Sequence, residues 1–470
     1  MPHAPLCSSL LIAIACAAAP AQFLEPDAEA AHTFTGLGSF GWGVSELRDI
    51  NDDGVTDAIS GSPTRGRTNL GRVTVHSSAD GALLHEIDGQ VGGEQLGWSV
   101  ADAGDVNNDG HIDFAAGGNG NAGVVRVYSG NPADNGLEIL TITGLNPGDQ
   151  LGYAISRMDD TNNDGHADLL VGAPNVDIGG VINAGRAYIF SGLDGSVLQT
   201  FDGPASNGAL FGRGVAGVGD LDADGVWDAV VAAPGAGTAL VFSGATGLPL
   251  LPPLNADAGN ANFGQFFVGY CGDVNNDDTN DIYIGDFGDS AGLGKAYVFS
   301  GADGSIIHRF TGSFPGDGLG CGRGLQADLN NDGYDDLAIG SYLNDVGAAN
   351  AGRIEIFSGR TGQVLRTITG TNSAYQLGFD CVGIGDTDSD GWPDLLASAA
   401  NRNTVYVIRG VNPCAADLAE PFATLDFSDV LAFLSAFAAQ ETHADLALPF
   451  GTFDFSDVLA FLTAFGAGCP

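Results

Sequence analysis

Hydrophobic and polar residues alternate in short runs along most of the chain, and turns that contain glycine separate the runs. Residues 186–192, 295–301 and 353–359 show this pattern, and each of the three runs ends in Ser-Gly. A turn and a further alternating run, such as 306–312, follow. Alternation with a period of two between glycine-containing turns is typical of β-hairpins. The pattern predicts an all-β fold of many short strands.

The chain repeats itself seven times. An element close to Asp-x-Asn/Asp-x-Asp-Gly-x-x-Asp, here called the aspartate loop, recurs every 53–60 residues and begins at Asp49, Asp105, Asp160, Asp220, Asp273, Asp328 and Asp386. A large apolar residue and a glycine lie nine residues before each loop, or ten in the fifth repeat: Phe40-Gly41, Leu96-Gly97, Leu151-Gly152, Phe211-Gly212, Phe263-Gly264, Leu319-Gly320 and Leu377-Gly378. Each repeat supplies four short strands, which predicts a seven-bladed β-propeller.

The two ends of the repeat array indicate that the ring closes on itself. The last repeat stops after the strand at 404–410 and lacks a fourth strand. A matching strand, residues 32–36, lies before the first repeat. We therefore predict a propeller over residues 31–411 with four-stranded blades, in which the N-terminal strand completes the blade that the last repeat begins.

The net charge of the chain limits the classes of molecule that it can bind. Asp and Glu total 58 against 16 Lys and Arg, for a formal net charge of −42. Nucleic acid is excluded as a partner because phosphate neutralisation requires a basic surface. An anionic membrane would also be repelled. Hydrophobic residues make up 44% of the chain, which favours a folded, acid-rich protein over a disordered one.

The aspartate loops concentrate oxygen ligands of the kind that calcium prefers, about six to eight per ion. Positions 1, 3, 5 and 9 offer side-chain oxygens and position 7 offers a backbone carbonyl, while the glycine at position 6 permits a sharp turn. The predicted metal ligands are Asp49, Asn51, Asp53, Val55, Asp57; Asp105, Asn107, Asp109, His111, Asp113; Asp160, Asn162, Asp164, His166, Asp168; Asp220, Asp222, Asp224, Val226, Asp228; Asp273, Asn275, Asp277, Asp281; Asp328, Asn330, Asp332, Tyr334, Asp336; and Asp386, Asp388, Asp390, Trp392, Asp394.

Up to seven Ca²⁺ ions are therefore expected in the propeller. The alternative is that Asp, Asn and Gly simply form turns. Asp278 replaces the glycine of the fifth loop, which we expect to be the weakest or most strained site.

These motifs resemble the FG-GAP repeats of the integrin α-subunit propeller. The apolar-Gly elements, the aspartate loops and the Gly-Ala-Pro turn at 172–174 carry the resemblance, which covers about residues 31–411. It implies that calcium lies in the hairpin loop between the first two strands of a blade, near one rim. It also implies that the opposite face recognises other macromolecules, such as an extracellular protein or glycan.

The N-terminus has the features of a signal peptide over residues 1–21. An apolar run at 10–19 is too short to cross a bilayer, and Ala19-Pro20-Ala21 has the small-x-small pattern of a cleavage site. Cys16 leaves a lipoprotein as an alternative. We expect a secreted protein, extracellular or held at the cell surface, without membrane insertion.

The last segment, residues 413–470, contains a tandem repeat in which 417–434 recurs as 445–462. Each unit ends in an apolar run of helical length, with Ser428 or Ser456 as a candidate N-cap. Cys414 and Cys469 bracket the segment and are candidates for one disulfide, whereas Cys271, Cys321 and Cys381 are expected to be buried free thiols.

This tandem resembles a dockerin-type module. The resemblance implies outer calcium ligands at Asp417, Asp426, Asp429, Asp445, Asp454 and Asp457, although the acids expected between them are missing. The partner it implies is a cohesin-like receptor or a cell-surface sorting system. An interaction tag without a defined receptor is the alternative.

No catalytic constellation is recognisable. The histidines are scattered along the chain, apart from His111 and His166 at position 7 of their loops, where we expect solvated side chains. No nucleophile motif or phosphate loop is found. Arg48, Arg157, Arg213 and Arg323 lie near the predicted inner strands, where they either pair with surface acids or line a site for an acidic glycan. The favoured function is a calcium-binding module for binding or adhesion. The alternative is an extracellular carbohydrate-active enzyme, either a lyase or a hydrolase; a structural coat protein is a third.

Overall fold

The computed structural model describes residues 22–257, 262–288, 292–323, 327–330, 332–411, 427–440, 444, 453 and 455–467. Seven four-stranded antiparallel sheets account for every strand in these ranges. Each sheet is one blade. In the first six blades the strands follow chain order from the innermost to the outermost, whereas in the seventh the outermost strand is the N-terminal one. The predicted all-β propeller with seven four-stranded blades is confirmed.

The first four blades contain strands β2 to β17. Their bounds are β2 Val44–Leu47, β3 Asp57–Gly61, β4 Arg72–His76 and β5 Leu83–Asp88; β6 Leu96–Gly104, β7 Asp113–Gly118, β8 Val124–Tyr128 and β9 Glu138–Thr143; β10 Ile155–Met158, β11 Asp168–Ala173, β12 Arg186–Phe190 and β13 Val197–Asp202; β14 Gly214–Gly217, β15 Ala229–Ala233, β16 Thr238–Phe242 and β17 Leu254–Asn255.

The remaining three blades contain β18 to β28 and β1. Their bounds are β18 Val268–Tyr270, β19 Ile282–Asp286, β20 Lys295–Phe299 and β21 Ile306–Thr311; β22 Leu319–Cys321, β23 Leu337–Ser341, β24 Arg353–Phe357 and β25 Val364–Thr369; β26 Cys381–Gly385, β27 Asp394–Ala399, β28 Thr404–Ile408 and β1 Ala30–Thr35. Short 3-10 turns at Pro234–Ala236 and Ala400–Arg402 follow β15 and β27.

The ring closes as the repeat pattern predicts. Strand β1 pairs antiparallel with β28, with Phe34 opposite Val405, and is the outermost strand of the seventh blade. The N-terminal strand and the last repeat therefore share one sheet. This pairing joins the two ends of the propeller through backbone hydrogen bonds.

The hydrophobic core lies between the faces of neighbouring blades. One cluster joins Leu170 and Ile189 of the third blade to Phe211 and Val231 of the fourth, and every one of these side chains is fully buried. The second strand of each blade is buried along its whole length, as in β11. Burial on both faces explains why these strands have nearly continuous apolar sequences.

Glycine is required where neighbouring blades approach most closely. An ideal Cβ built on Gly172 would lie 1.9 Å from the carbonyl oxygen of Gly212, the glycine of the next apolar-Gly element. Gly212 itself has a φ of 90°, in the left-handed region that glycine adopts without steric cost. The Gly-Ala-Pro turn and the apolar-Gly element are thus two sides of one contact between blades.

Two helices lie beyond the propeller in the chain, α1 Phe427–Ala439 and α2 Phe455–Ala467. Phe433 and Phe461 stack between them with ring centroids 4.2 Å apart. Ser428 and Ser456 were predicted as N-caps, but each helix begins one residue earlier, so these serines are the second residues of α1 and α2. The predicted disulfide and the signal peptide lie outside the described residues. Cys271, Cys321 and Cys381 are buried and free, as predicted.

Candidate metal loops and the central channel

The aspartate loops connect the first and second strands of each blade. In every loop the position-1 carboxylate turns inward and accepts a hydrogen bond from the backbone N–H of position 6. In the first loop, for example, Gly54 donates to Asp49 Oδ2 at 2.7 Å, and Asp53 N donates to Asp49 Oδ1 at 3.1 Å. The position-7 N–H donates in turn to position 5, as Val55 does to Asp53 at 2.9 Å. The backbone of the loop thus folds around the side-chain carboxylates of positions 1 and 5, which accept its N–H hydrogen bonds.

The side-chain oxygens of two loops converge. Asp220, Asp222 and Asp224 of the fourth loop, and Asp386, Asp388 and Asp394 of the seventh, each place carboxylate oxygens within 4.8 Å of one another. These are the two loops with an acid at position 3, where the other five have asparagine. A set made wholly of oxygen donors fits a hard cation such as calcium.

The position-9 aspartate differs from the other predicted ligands because it is fully buried in all seven loops. One of its oxygens accepts a hydrogen bond from the backbone N–H of position 2, at 2.7–3.0 Å throughout. In six blades the other oxygen accepts from the backbone N–H of a glycine that lies two residues after the third strand, at 2.6–3.1 Å. This aspartate ties the loop to its own blade.

The surroundings of these buried carboxyls disfavour the ionised form. Burial, with smaller contributions from the neighbouring loop carboxylates, raises the pKa of Asp57, Asp281 and Asp336 to about 7. The same causes raise the pKa of Asp113 and Asp228 to about 6. A cation bound in the loop would oppose this effect, since it attracts the carboxylates that otherwise repel one another.

The fifth and seventh loops depart from the common geometry. Asp278 occupies the glycine position of the fifth loop with a φ of 65°, a conformation that an L residue rarely adopts. In the seventh loop Arg409 forms an ion pair with Asp388, so a guanidinium already contacts one predicted ligand. The left-handed Asp278 agrees with the strain expected of the fifth loop, which stays a prediction, whereas the contact of Arg409 was not predicted.

Of the two histidines at position 7, His166 departs from the expectation of a solvated side chain. Their backbone N–H groups make the common loop hydrogen bond. In addition, His166 Nδ1 lies 2.7 Å from the carbonyl oxygen of Val106 in the preceding blade's loop. This imidazole therefore links two neighbouring loops.

The channel along the propeller axis has a different lining at each end. At the end opposite the aspartate loops, where the innermost strands begin, aromatic rings meet around the axis. We call Trp42, Trp98, Tyr153, Phe266 and Phe379 the aromatic collar. Neighbouring ring centroids within it are 4.9–5.5 Å apart, from Phe379 through Trp42, Trp98 and Tyr153 to Phe266.

The aromatic collar follows directly from the repeat. Trp42, Trp98, Tyr153 and Phe379 come immediately after the glycine of the apolar-Gly element. Phe266 follows after one extra residue, the insertion that makes the fifth repeat's spacing ten. The fourth blade has Arg213 instead, with its guanidinium 5.4 Å from the Tyr153 ring. Sequence analysis missed the collar, although aligning the repeats on that glycine would have revealed it.

At the aspartate-loop end, the channel widens into a cavity of about 340 Å³ that we call the charged mouth. Glu46, Arg48, Asp102, Arg157 and Arg323 are among its lining residues. Arg48 holds Asp102 with two hydrogen bonds, at 2.8 and 2.9 Å. Although burial acts against it, this pairing lowers the pKa of Asp102. Three of the four arginines noted in the sequence thus line one cavity.

Two of the predicted dockerin-type ligands lie in the helices of the C-terminal segment. Asp429 and Asp457 are fully buried in the first turns of α1 and α2. Asp417, Asp426, Asp445 and Asp454 lie outside the described residues. Among the described helices, none is long and apolar enough to cross a membrane.

Comparisons with known proteins agree with the propeller's motifs. The FG-GAP repeat family matches residues 152–190 and 324–357. Integrin alpha-5 of Xenopus laevis is 30% identical over 223 residues, which are 44% of this chain and 21% of that protein. Integrin alpha-IIb of Mus musculus is 32% identical over 219 residues, or 43% and 21%. The chain spans about a fifth of the length of these relatives. It is therefore a seven-bladed propeller with FG-GAP repeats that is similar, over part of its length, to integrin alpha subunits.

Proposed function

We propose that this protein is an exported, calcium-stabilised propeller that serves as a binding or adhesion module for an extracellular protein or glycan. The aromatic collar is the observation that carries the proposal. Four of its five side chains are half-buried, so they leave part of their surface at the channel entrance. Clustered Trp, Tyr and Phe side chains provide most of the contact energy in many binding surfaces.

In this proposal, bound calcium stabilises the aspartate-loop end of the propeller, opposite the aromatic collar. Positions 1, 3 and 5 of each loop supply exposed or half-buried oxygens, and position 7 supplies its carbonyl. The position-9 aspartate contributes from below while it remains bonded to the blade. Ca²⁺ would neutralise clustered carboxylates whose mutual repulsion otherwise opposes the fold. We propose up to seven ions, bound most weakly in the fifth loop.

The separation of the two features supports a division of labour. In each blade the aspartate loop follows the innermost strand, and the apolar-Gly element lies before that strand or at its start, so the loops and the collar lie at opposite ends of the channel. The metal-bound rim would fix the blades relative to one another. The aromatic rim would then present a rigid surface to the ligand.

Export and attachment complete the proposal. Residues 1–21 serve as the signal peptide, and residues 413–470 form a dockerin-like attachment module that binds a cohesin-like or surface-sorting partner. The stacked Phe433 and Phe461 give its two helices a shared apolar core. The sequence duplication supports a pseudo-symmetric pair of loop-helix units.

Ligand screening with matched variants tests the proposed face. The purified protein would be screened in calcium against panels of extracellular proteins and of glycans, together with the W42A/W98A double variant and the control F314A. Phe314 is an exposed aromatic outside the collar, 56% accessible. We expect binding that the double variant loses and F314A retains. Binding that both variants retain would place the site elsewhere, and glycan cleavage by the unaltered protein would favour the enzyme alternative.

A further inference from the structure

Two of the three arginines in the charged mouth have only long ion-pair contacts with acids. Arg48 and Asp102 neutralise each other in their two-bonded pair. Arg157 approaches Asp102 and Asp159 only to 3.7 and 3.5 Å, and Arg323 approaches Asp380 only to 3.6 Å. Within the described residues, neither guanidinium makes a hydrogen bond to a carboxylate.

Arg323 is the clearest case of an unsatisfied group. Its Nε is buried and has no hydrogen-bond partner in the described part of the chain. A buried guanidinium N–H that lacks an acceptor is costly, because the group has lost its water without replacement. The Trp227 ring, whose centroid is 4.4 Å from the Arg157 guanidinium carbon, holds this side chain at the cavity, where its N–H groups have only the long contacts to Asp102 and Asp159.

One position of the sequence repeat explains why one side of the cavity is open to a ligand. Three residues before each loop, the first three blades have Glu46, Asp102 and Arg157, while the fourth and seventh have Gly217 and Gly383. All five of these residues line the cavity. The glycines leave space next to the charged groups. The volume of about 340 Å³ falls in the range of small-molecule sites.

The cavity lining combines guanidinium donors, hydrogen-bond acceptors and an aromatic ring, and an acidic sugar could contact all three. Guanidinium groups bind a carboxylate through parallel N–H donors. Carboxylates and the hydroxyls of Ser45 and Ser156 accept hydrogen bonds from sugar hydroxyls, and the ring of Trp227 offers an apolar face for a pyranose. An acidic peptide would bring a carboxylate but few hydroxyl donors for Glu46 and Asp102.

We propose that the charged mouth binds the uronate residue of an acidic saccharide, with the carboxylate on Arg157 and Arg323 and the ring hydroxyls toward Glu46 and Asp102. This site lies at the end of the channel opposite the aromatic collar. Arg323 also lines the small cavity next to the collar, whereas Arg157 does not, so the R157Q variant distinguishes this site from the ligand face proposed above. The electrostatic setting also favours selectivity, since a formal net charge of −42 disfavours anion binding where no arginines are gathered.

Calorimetric titration of the full chain in calcium would test this site. The probes are D-galacturonate, D-glucuronate and their short oligomers, with D-galactose and D-glucose as neutral counterparts and inorganic sulfate and an aspartate-rich peptide as other anions. We expect a uronate to bind at least about tenfold more tightly than its neutral sugar, since one charge-assisted bidentate contact contributes a factor of this order. Equal affinity for uronate and neutral sugar would overturn the proposal, as would preference for sulfate or the peptide.

Variants locate the site. R157Q and R323Q should each weaken uronate binding by about tenfold or more, while R67Q, which alters an exposed arginine outside the cavity, should not. Thermal melts of each variant show whether it is folded. Uronate binding that survives both cavity substitutions would contradict the assignment. The comparison of uronate with neutral sugar on the unaltered chain remains decisive even if a variant does not fold.

Discussion

Asp228 accepts a hydrogen bond from the backbone N–H of Gly244 at 3.1 Å and joins the fourth aspartate loop to the end of β16. Its other oxygen accepts from the N–H of Leu221 at 2.7 Å. From the sequence, Asp228 is predicted to be a metal ligand like the other acids of its loop. The structure gives it a second role, because it replaces water for two buried backbone donors.

Replacing Asp228 should therefore destabilise the fold with or without calcium. In D228N the side-chain amide turns an N–H toward a backbone N–H, so one buried donor loses its acceptor. We expect a loss of about 2–3 kcal/mol in the free energy of unfolding, measured by denaturant titration both in calcium and in chelator.

The matched control for this variant is D222N in the same loop. Asparagine already occupies position 3 in five other loops and keeps the hydrogen bond from the Asp224 N–H. D222N should weaken calcium binding but leave stability in chelator unchanged. If D228N were harmless in chelator, the aspartate would be a metal ligand alone.

The fifth loop offers a stabilising substitution. Asp278 has a φ of 65° where the six other loops have glycine at 86–92°. D278G should relieve the strain and raise the free energy of unfolding by up to about 1 kcal/mol. The reverse change in the fourth loop, G225D, should lower it by a similar amount. Equal stabilities for the D278G variant and the unaltered chain would show that the left-handed Asp278 carries no cost.

The contact between blades at Gly172 should be intolerant of any side chain. A Cβ there would lie 1.9 Å from the Gly212 carbonyl oxygen, so G172A forces two blades apart. We expect a loss of about 2–3 kcal/mol in a denaturant titration. G43A is the control, since its Cβ would meet the nearest atom at 3.5 Å, an ordinary contact. Similar stabilities for the two variants would contradict this account of the turn.

Glu46 should make stability depend on pH. Burial, with the charge of Asp102 as a smaller cause, raises the pKa of Glu46 from its ordinary 4.5 to about 7 in the folded protein. The folded state therefore binds this proton more tightly than the unfolded state, and the penalty for ionisation grows as the pH rises from about 4.5 to 7.

The variant E46Q removes this penalty. It should be more stable than the unaltered chain at pH 8 and should lose that advantage at pH 4. Thermal melts of both proteins across this range provide the measurement. A stability difference that does not change with pH would show that Glu46 does not titrate in this way.

Sequence alone predicted the blades, their number and the closing strand, because each depends on a local pattern that repeats. Phe266 and Trp42 were harder to place together, since the blades that carry them are far apart in the chain and their positions match only when the repeats are aligned on the apolar-Gly element and the extra residue of the fifth repeat is allowed for. In the sequence, the position-9 aspartates also could not be distinguished from the exposed metal-ligand candidates at positions 1, 3 and 5. Their burial depends on the end of the third strand, a contact that the loop sequence does not contain.

The central claim is that the seven aspartate loops bind calcium and thereby stabilise the propeller. Thermal melts of the purified chain in calcium and in chelator, together with metal analysis of the protein, test it most directly. Because a ligand that binds only the folded state must raise its melting temperature, we predict a large rise in Tm in calcium and close to seven bound ions, the fifth loop being the last to fill. A Tm that is the same in calcium and chelator, with no bound metal, would mean that the aspartates only shape the turns.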